Sequence, residues 1–131
     1  MASSSRLGDL FGGSERGNGR WPLVAARMST SGELAGFTGL AVPAFLAEIM
    51  PAVEIGWRLG RAFWGRGLAT EAAEAVVSHA RAELGLRRLV SIHVVGNEAS
   101  ARVMVKLGMS LERETVQPDT CRQVLVYAMD L

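Results

Sequence analysis

A chain of 131 residues with 49% hydrophobic content buries one modest core and is too short for two ordinary domains, so a single domain is expected. No stretch approaches the roughly 18 consecutive apolar residues of a membrane span, and the start leads into no apolar signal core, which predicts a soluble, cytoplasmic protein. Fourteen Lys and Arg against thirteen Asp and Glu, spread along the chain to a net charge of +1, argue against nucleic acid as a main partner, and the single Cys121 excludes an internal disulfide or a thiolate metal cage.

In chain order, residues 1–20 hold five of the fifteen glycines and few large apolar side chains, and read as a mobile arm. Residues 21–30 and 34–42 read as strands of a hairpin joined by Ser31, Gly32 and Glu33. The segment 44–50, closed by Pro51, is open to two readings, a helical turn or an apolar loop. Residues 52–59 read as a strand in which Gly56 signals a bulge or a close backbone approach.

After a loop over 60–67, a helix is predicted to about Leu84, with Ala72, Ala73, Val76, Val77, Ala80 and Leu84 as its apolar stripe and Gly85 as its left-handed cap. Residues 89–95 read as a buried strand, and Asn97 as the cap of a second helix ending at Gly108. Residues 110–114 and 121–130 read as two strands joined around Gln117, Pro118 and Asp119. In the second of these, Val124, Val126 and Ala128 alternate against Leu125, Tyr127 and Met129.

The segment that carries chemistry is the glycine-rich turn leading from the strand at 52–59 into the first helix. A helix start offers unpaired N–H groups and partial positive charge, and glycines let an anion approach the main chain. Two nucleotide motifs fail on spacing. Gly60 and Gly65 are not followed by Lys with Ser or Thr, and Gly65-x-Gly67 is followed by Leu68, Ala69 and Thr70 rather than a third glycine at the right place.

The run Trp64-Gly65-Arg66-Gly67-Leu68-Ala69 instead resembles the pyrophosphate signature of the GNAT N-acetyltransferases, with Trp64 where the general pattern has Gln or Arg. Together with Glu54-Ile-Gly-Trp-Arg-Leu before it, Thr70-Glu-Ala after it and Asn97-x-x-Ser100 opening the second helix, it resembles the branch of RimJ/RimL-like enzymes over residues 21–131. The resemblance implies an α+β fold: a mixed, mostly antiparallel twisted sheet splayed between its fourth and fifth family strands, with helices packed on it. It also implies direct transfer of an acetyl group from acetyl-CoA to a primary amine, with no metal.

By the same resemblance, Trp57, Arg58 and Leu59 lend backbone groups to the pantetheine arm. Residues Trp64, Gly65, Arg66, Gly67, Leu68, Ala69 and Thr70 hold the pyrophosphate, assisted by the side chains of Arg58, Arg61 and Arg66, and Asn97 and Ser100 contact the thioester end. Glu54 is the candidate base. Family members often protonate the leaving thiolate with a tyrosine on the second helix; the matching position is Met104, which leaves Ser100 or solvent for that role. The members also begin with a strand and two helices that this sequence is read as lacking. That leaves an open acceptor groove, completed by residues 44–50 or by a second copy in a homodimer, or else a non-catalytic CoA-binding module.

Each assignment has a plainer counterpart. Gly65 and Gly67 can be simple turn glycines, Glu54 a solvated strand residue, Asn97 and Ser100 a helix cap, and Trp57 and Trp64 packing residues. His79 is expected on the outer face of its helix, His93 as a satisfied strand residue, and Cys121 as an inert residue of a terminal strand.

Overall fold

The computed structural model describes residues 6–12, 24–30 and 32–131, with backbone alone for 6–12, 24–26 and 30. Seven strands form one sheet in the order β1-β2-β3-β4-β5-β7-β6, where β1 is Arg6–Gly12, β2 Val24–Thr30, β3 Glu33–Ala41, β4 Glu54–Leu59, β5 Arg88–Val94, β6 Ser110–Gln117 and β7 Arg122–Asp130. Every neighbouring pair is antiparallel except β4 and β5. Two helices complete the fold: α1, Leu68–Ala82, crosses from β4 to β5, and α2, Glu98–Leu107, connects β5 to β6. This is the mixed α+β architecture that the sequence predicts.

Both helices pack on one face of the sheet. Ala73, Val76, Val77 and Ala80 of α1 and Met104 of α2 meet Leu40, Ile55 and Leu89 from β3, β4 and β5 in one buried cluster. Removing a side chain such as Ile55 from water contributes roughly 2 to 3 kcal/mol. The other face carries Val90, Val124 and Val126 under Leu46, which comes from the loop around a short 3₁₀ turn, Ala47–Ile49. The two-residue alternation in β7 therefore serves both cores, Tyr127 and Met129 on the helix side and Val124 and Val126 on the other.

Several expectations change at this level. Within the stretch 1–20, read from the sequence as a mobile glycine-rich arm, Arg6–Gly12 pairs antiparallel with β2, with a register shift between Leu7 and Leu10. The remainder of that stretch, and residues 13–23 as a whole, lie outside the described residues. Gly56 marks neither a bulge nor a close approach: β3 and β4 stay in register from Gly36↔Leu59 to Ala41↔Glu54, and a Cβ at Gly56 would meet nothing within 4 Å. The close approach falls at Gly36, where a Cβ would collide with the Arg58 carbonyl oxygen. The ambiguous segment 44–50 contains the 3₁₀ turn rather than an α-helix. Helix α1 stops at Ala82, so Leu84 leaves the apolar stripe and is exposed. Cys121 sits in the β6–β7 turn with φ 60°, exposed, not on the strand.

The loop beneath the second core is tied to the sheet edge by Glu48. Its carboxylate accepts from Thr115 Oγ1 and from Arg113 Nη1, both at 2.8 Å. These bonds, Thr115 first and Arg113 second, hold the Glu48 carboxyl below the usual glutamate value. A depressed folded pKa gives stability that is present above the ordinary glutamate pKa and is lost as pH falls below it through the folded value. Glu48→Gln is therefore expected to melt below the parent at neutral pH. The gap should close as the pH is lowered through the carboxylate range, which thermal melts over a pH series would read.

Candidate functional site

The geometry of the site follows from the one parallel strand pair. β4 and β5 share a single register pair, Glu54↔Val90, fixed by the Val90 N–H on the Val53 carbonyl at 3.0 Å and by Ser91 Oγ on the Ile55 carbonyl at 2.8 Å. Beyond Ile55 the two strands part. Main-chain groups of Val53 and Ile55 face β5, so the two-residue alternation turns the N–H and C=O of Trp57 toward the same edge, now past the last β5 partner. Leu59 also faces that edge, and its carbonyl accepts from Trp64 Nε1 at 3.0 Å. Arg58 does not join them. Its main chain faces β3, and its side chain, in register with Phe37, lies on the sheet face opposite the helices.

Because β4 and β5 run parallel, the helices that follow them start at the same end of the sheet, above this opening. The two starts differ. At α2, Asn97 Oδ1 accepts the Ser100 N–H at 3.2 Å, a side-chain cap within the protein. At α1, the cap residue is Gly67 in the left-handed region, φ 76°, and no side chain caps the helix. The first bond of α1 runs from Glu71 N–H to the Gly67 carbonyl at 3.0 Å. Among the described residues, the six main-chain N–H groups of 65–70 have no protein acceptor.

Gly65, φ 79°, and Gly67 supply the left-handed conformations that this turn needs, and a Cβ on either would meet nothing within 4 Å, so the concave side is open space. A fan of free N–H groups over open space at the positive end of a 15-residue helix fits a diphosphate. Two cations border it: the Arg61 guanidinium lies 5.1 Å from the centre of the Trp64 ring, and that of Arg66 lies 5.6 Å from the Phe63 ring. Leu68 and Ala69 are buried beneath the turn, which anchors it to the sheet.

Trp64 thus has two roles the sequence alone left open. Its ring is 53% exposed and carries Arg61, while its indole N–H fastens the turn to the end of β4. Trp64→Ala is expected to free the turn and to weaken anion binding by about tenfold, the loss of roughly one hydrogen bond's contribution. A moderate fall in the thermal midpoint is expected as well, because about half of the residue is buried. Calorimetric titration beside a melt would separate the two effects. Glu54 and Ser100 flank the opening from different sides. Glu54 is 5% exposed, at the fork, on the face opposite the helices, and Ser100 is half-buried in the first turn of α2.

His93, expected as a satisfied strand residue, is 6% exposed, and among the described residues its Nε2 has no hydrogen-bond partner. No local signal separates a satisfied buried histidine from an unsatisfied one. Among the described residues, no group of three His, Cys, Asp or Glu is placed to hold a metal ion, and no helix is long and apolar enough to cross a membrane.

A parallel strand pair that parts beneath two helix starts, one of them without a side-chain cap, defines an α+β fold with a gap between its fourth and fifth strands. The acetyltransferase (GNAT) domain family matches residues 5–110, and the chain belongs to that family. The Bacillus subtilis protein YkkB is 36% identical over 87 residues, 66% of this chain and 49% of its own length. The Bacillus subtilis N-acetyltransferase YoaA is 36% identical over 67 residues, 51% of this chain and 38% of its own. The chain thus spans half or less of these curated relatives in the matched region.

Among solved structures, an acetyltransferase from Agrobacterium tumefaciens strain C58 superposes with a TM-score of 0.67 at 32% identity, over 80% of this chain and 59% of that one. RimL, the ribosomal L7/L12 alpha-N-protein acetyltransferase, in complex with coenzyme A, shares the fold with a TM-score of 0.68 at 23% identity, over 82% of this chain and 62% of its own.

Proposed function

We propose that this chain binds acetyl-CoA across the opening between β4 and β5 and transfers the acetyl group to a primary amine. The observation that supports this reading is the set of six N–H groups at residues 65–70 that have no acceptor among the described residues, which offers the pyrophosphate a cradle. Gly65 and Gly67 let it approach, Arg61 and Arg66 offset its charge, and the main chain of Trp57 and Leu59 extends the pantetheine arm along β4. Asn97, whose Oδ1 is engaged with Ser100, keeps its amide N–H groups for the thioester end. In this reading Arg58, on the face opposite the helices, serves as a cation on the acceptor side rather than a cofactor contact.

Acetyl-CoA supplies an activated acyl group, and the chain's part is positioning and proton management. An alkyl amine with a pKa near ~10 is mostly protonated at neutral pH, and Glu54 at the fork takes up its proton, directly or through water. The Trp57 N–H at the open edge of β4 faces the acyl oxygen as a hydrogen-bond donor. Ser100 or solvent returns a proton to the departing sulfur. The helix face delivers the cosubstrate and the Glu54 face admits the amine, so the two meet in the gap.

The whole of residues 21–131 is read as the acetyltransferase domain, cytoplasmic and working as a homodimer. The dimer is supported by Leu111 and Val116, about half exposed on the edge strand β6. A second reading, a CoA-binding module without catalysis, is favoured by Met104, which is 1% exposed in the core and offers no proton donor. Calorimetric titration with acetyl-CoA, followed by free-thiol release against peptides, polyamines and aminoglycosides, tests both. Binding with turnover supports the enzyme, binding without turnover on any amine supports the module, and no binding rejects the site.

A further inference from the structure

We propose that the acceptor is the N terminus of an acidic peptide, laid across the sheet face opposite the helices with its amine at Glu54 and its carboxylates on Arg58 and Arg27; this rests on the acetyl-transfer reading above. Ile55 and Trp57 pack on the helix side, so Glu54, Gly56 and Arg58 stand together on the other face of β4. Glu54 and Arg58 are four residues apart, roughly 13 Å between Cα atoms at about 3.3 Å per residue. Between them is a position without a side chain, and a Cβ placed on Gly56 would meet nothing within 4 Å. An acid, a bare position and a cation in line along one strand complement an ammonium group joined to a carboxylate.

The cationic side of this arrangement is wider than one strand. Arg58 is in register with Phe37 of β3, and Phe37 with Arg27 of β2, so the three side chains form one row across the same face. All three are exposed, Phe37 to 41%. Two strand spacings of roughly 4.8 Å put Arg27 about 10 Å from Arg58. Other arginines are engaged within the protein: Arg88 pairs with Glu112 and Arg113 with Glu48, while Arg61 and Arg66 lie over aromatic rings. Among the described residues, Arg27 and Arg58 have no carboxylate within ion-pair distance.

The span of the row decides the size of the acceptor. A carboxylate one or two residues from the amine reaches Arg58, whereas Arg27 lies about 10 Å further on, the length of roughly three extended residues. Phe37 between them gives the middle of such a chain an apolar floor. Polyamines and aminoglycosides, which bring several positive charges, meet two like-charged guanidinium groups on this path.

Initial rates of thiol release from acetyl-CoA test this with peptide amides of one length, all beginning with the same residue. They carry Asp and Glu, Asn and Gln, or Lys at the second to fourth positions. The acidic peptide is expected to show a kcat/KM about 100-fold above that of the neutral one, about tenfold for each arginine, with the advantage in KM and shrinking as salt rises. The Lys peptide should be the poorest of the three. In Arg58→Gln and in Arg27→Gln the ratio of acidic to neutral kcat/KM should fall about tenfold, with the KM for acetyl-CoA unchanged within about twofold. Gly56→Leu fills the bare position and should raise the KM for the acidic peptide at least about tenfold without weakening acetyl-CoA. Calorimetric titration of the acidic peptide into protein saturated with coenzyme A reads the same contacts without turnover. Free aspartate that is turned over better than the acidic peptide, and that responds to Arg58→Gln but not to Arg27→Gln, overturns the peptide in favour of a small acceptor. Equal turnover of the three peptides, or an acidic preference that survives both arginine substitutions, overturns the proposal and leaves acetyl transfer standing. No thiol release on any amine overturns the transfer reading itself.

Discussion

Gly67→Glu is expected to lower acetyl-CoA affinity by more than about 100-fold while leaving the protein folded. The estimate comes from electrostatics: a carboxylate about 5 Å from a phosphate costs roughly 3 kcal/mol at an effective dielectric near 20, and each 1.4 kcal/mol is tenfold. The stability terms nearly offset. A side chain at φ 76° is strained by about 1 to 2 kcal/mol, while an acidic group at a helix start contributes about 0.3 to 1 kcal/mol in the favourable direction. Space is not the obstacle, since a Cβ at Gly67 meets nothing within 4 Å. Gly67→Ala carries the strain without the charge, so it should lose about 1 to 2 kcal/mol of stability, more than the glutamate, and keep affinity within severalfold. Titrations of both variants at low and moderate salt separate charge from strain, because only the glutamate penalty shrinks with ionic strength. Unchanged affinity in Gly67→Glu would remove the diphosphate from this turn.

That experiment addresses the part of the molecule that was most legible from residues alone. The turn was readable because its requirements are local: two glycines with positive φ, a strand before them, a helix after them, and no competing cap. The same holds for Asn97 at α2, whose capping oxygen finds Ser100 N–H three residues on, and for the two-faced alternation of β7. Elements fixed by long-range pairing were not readable. Strand β1 lies among glycines in sequence, and what defines it is the register against β2, interrupted between Leu7 and Leu10. Gly56 drew attention as a strand glycine, but the contact that requires a glycine is across the sheet at Gly36, against Arg58.

The orientation of Arg58 shows the same limit within the site. Counting along the sequence puts it beside the phosphate turn; counting pleats from Ile55 and Trp57, which pack with the helices, puts it on the other face. Arg61 and Arg66 follow β4 in the turn before α1, whereas Arg58 lies on the sheet face opposite the helices, so under the proposed reading the two substrates would approach from different faces. Only the gap beyond the Glu54↔Val90 pair connects them.

Glu54→Gln should then lower turnover by about 10²- to 10³-fold, the usual contribution of a positioned base, with acetyl-CoA affinity unchanged within about twofold. The substitution is isosteric, so packing at a site 5% exposed is preserved and the register with Val90 and Ala41 is kept. Glu54 is the acidic residue of β4 and stands at the fork, on the face opposite the helices, which is the ground for testing it as the base. The variant should also change the pH dependence. Without a base, only amine already deprotonated in solution reacts, so the rate should climb about tenfold per pH unit up to the amine pKa near ~10. In the parent, Glu54 takes the proton at the site and the climb is shallower near neutrality. Initial rates of thiol release for both proteins over a pH series read the difference directly. Equal rates at neutral pH would show that the amine loses its proton elsewhere, and would return Glu54 to an ordinary residue at the point where the strands part.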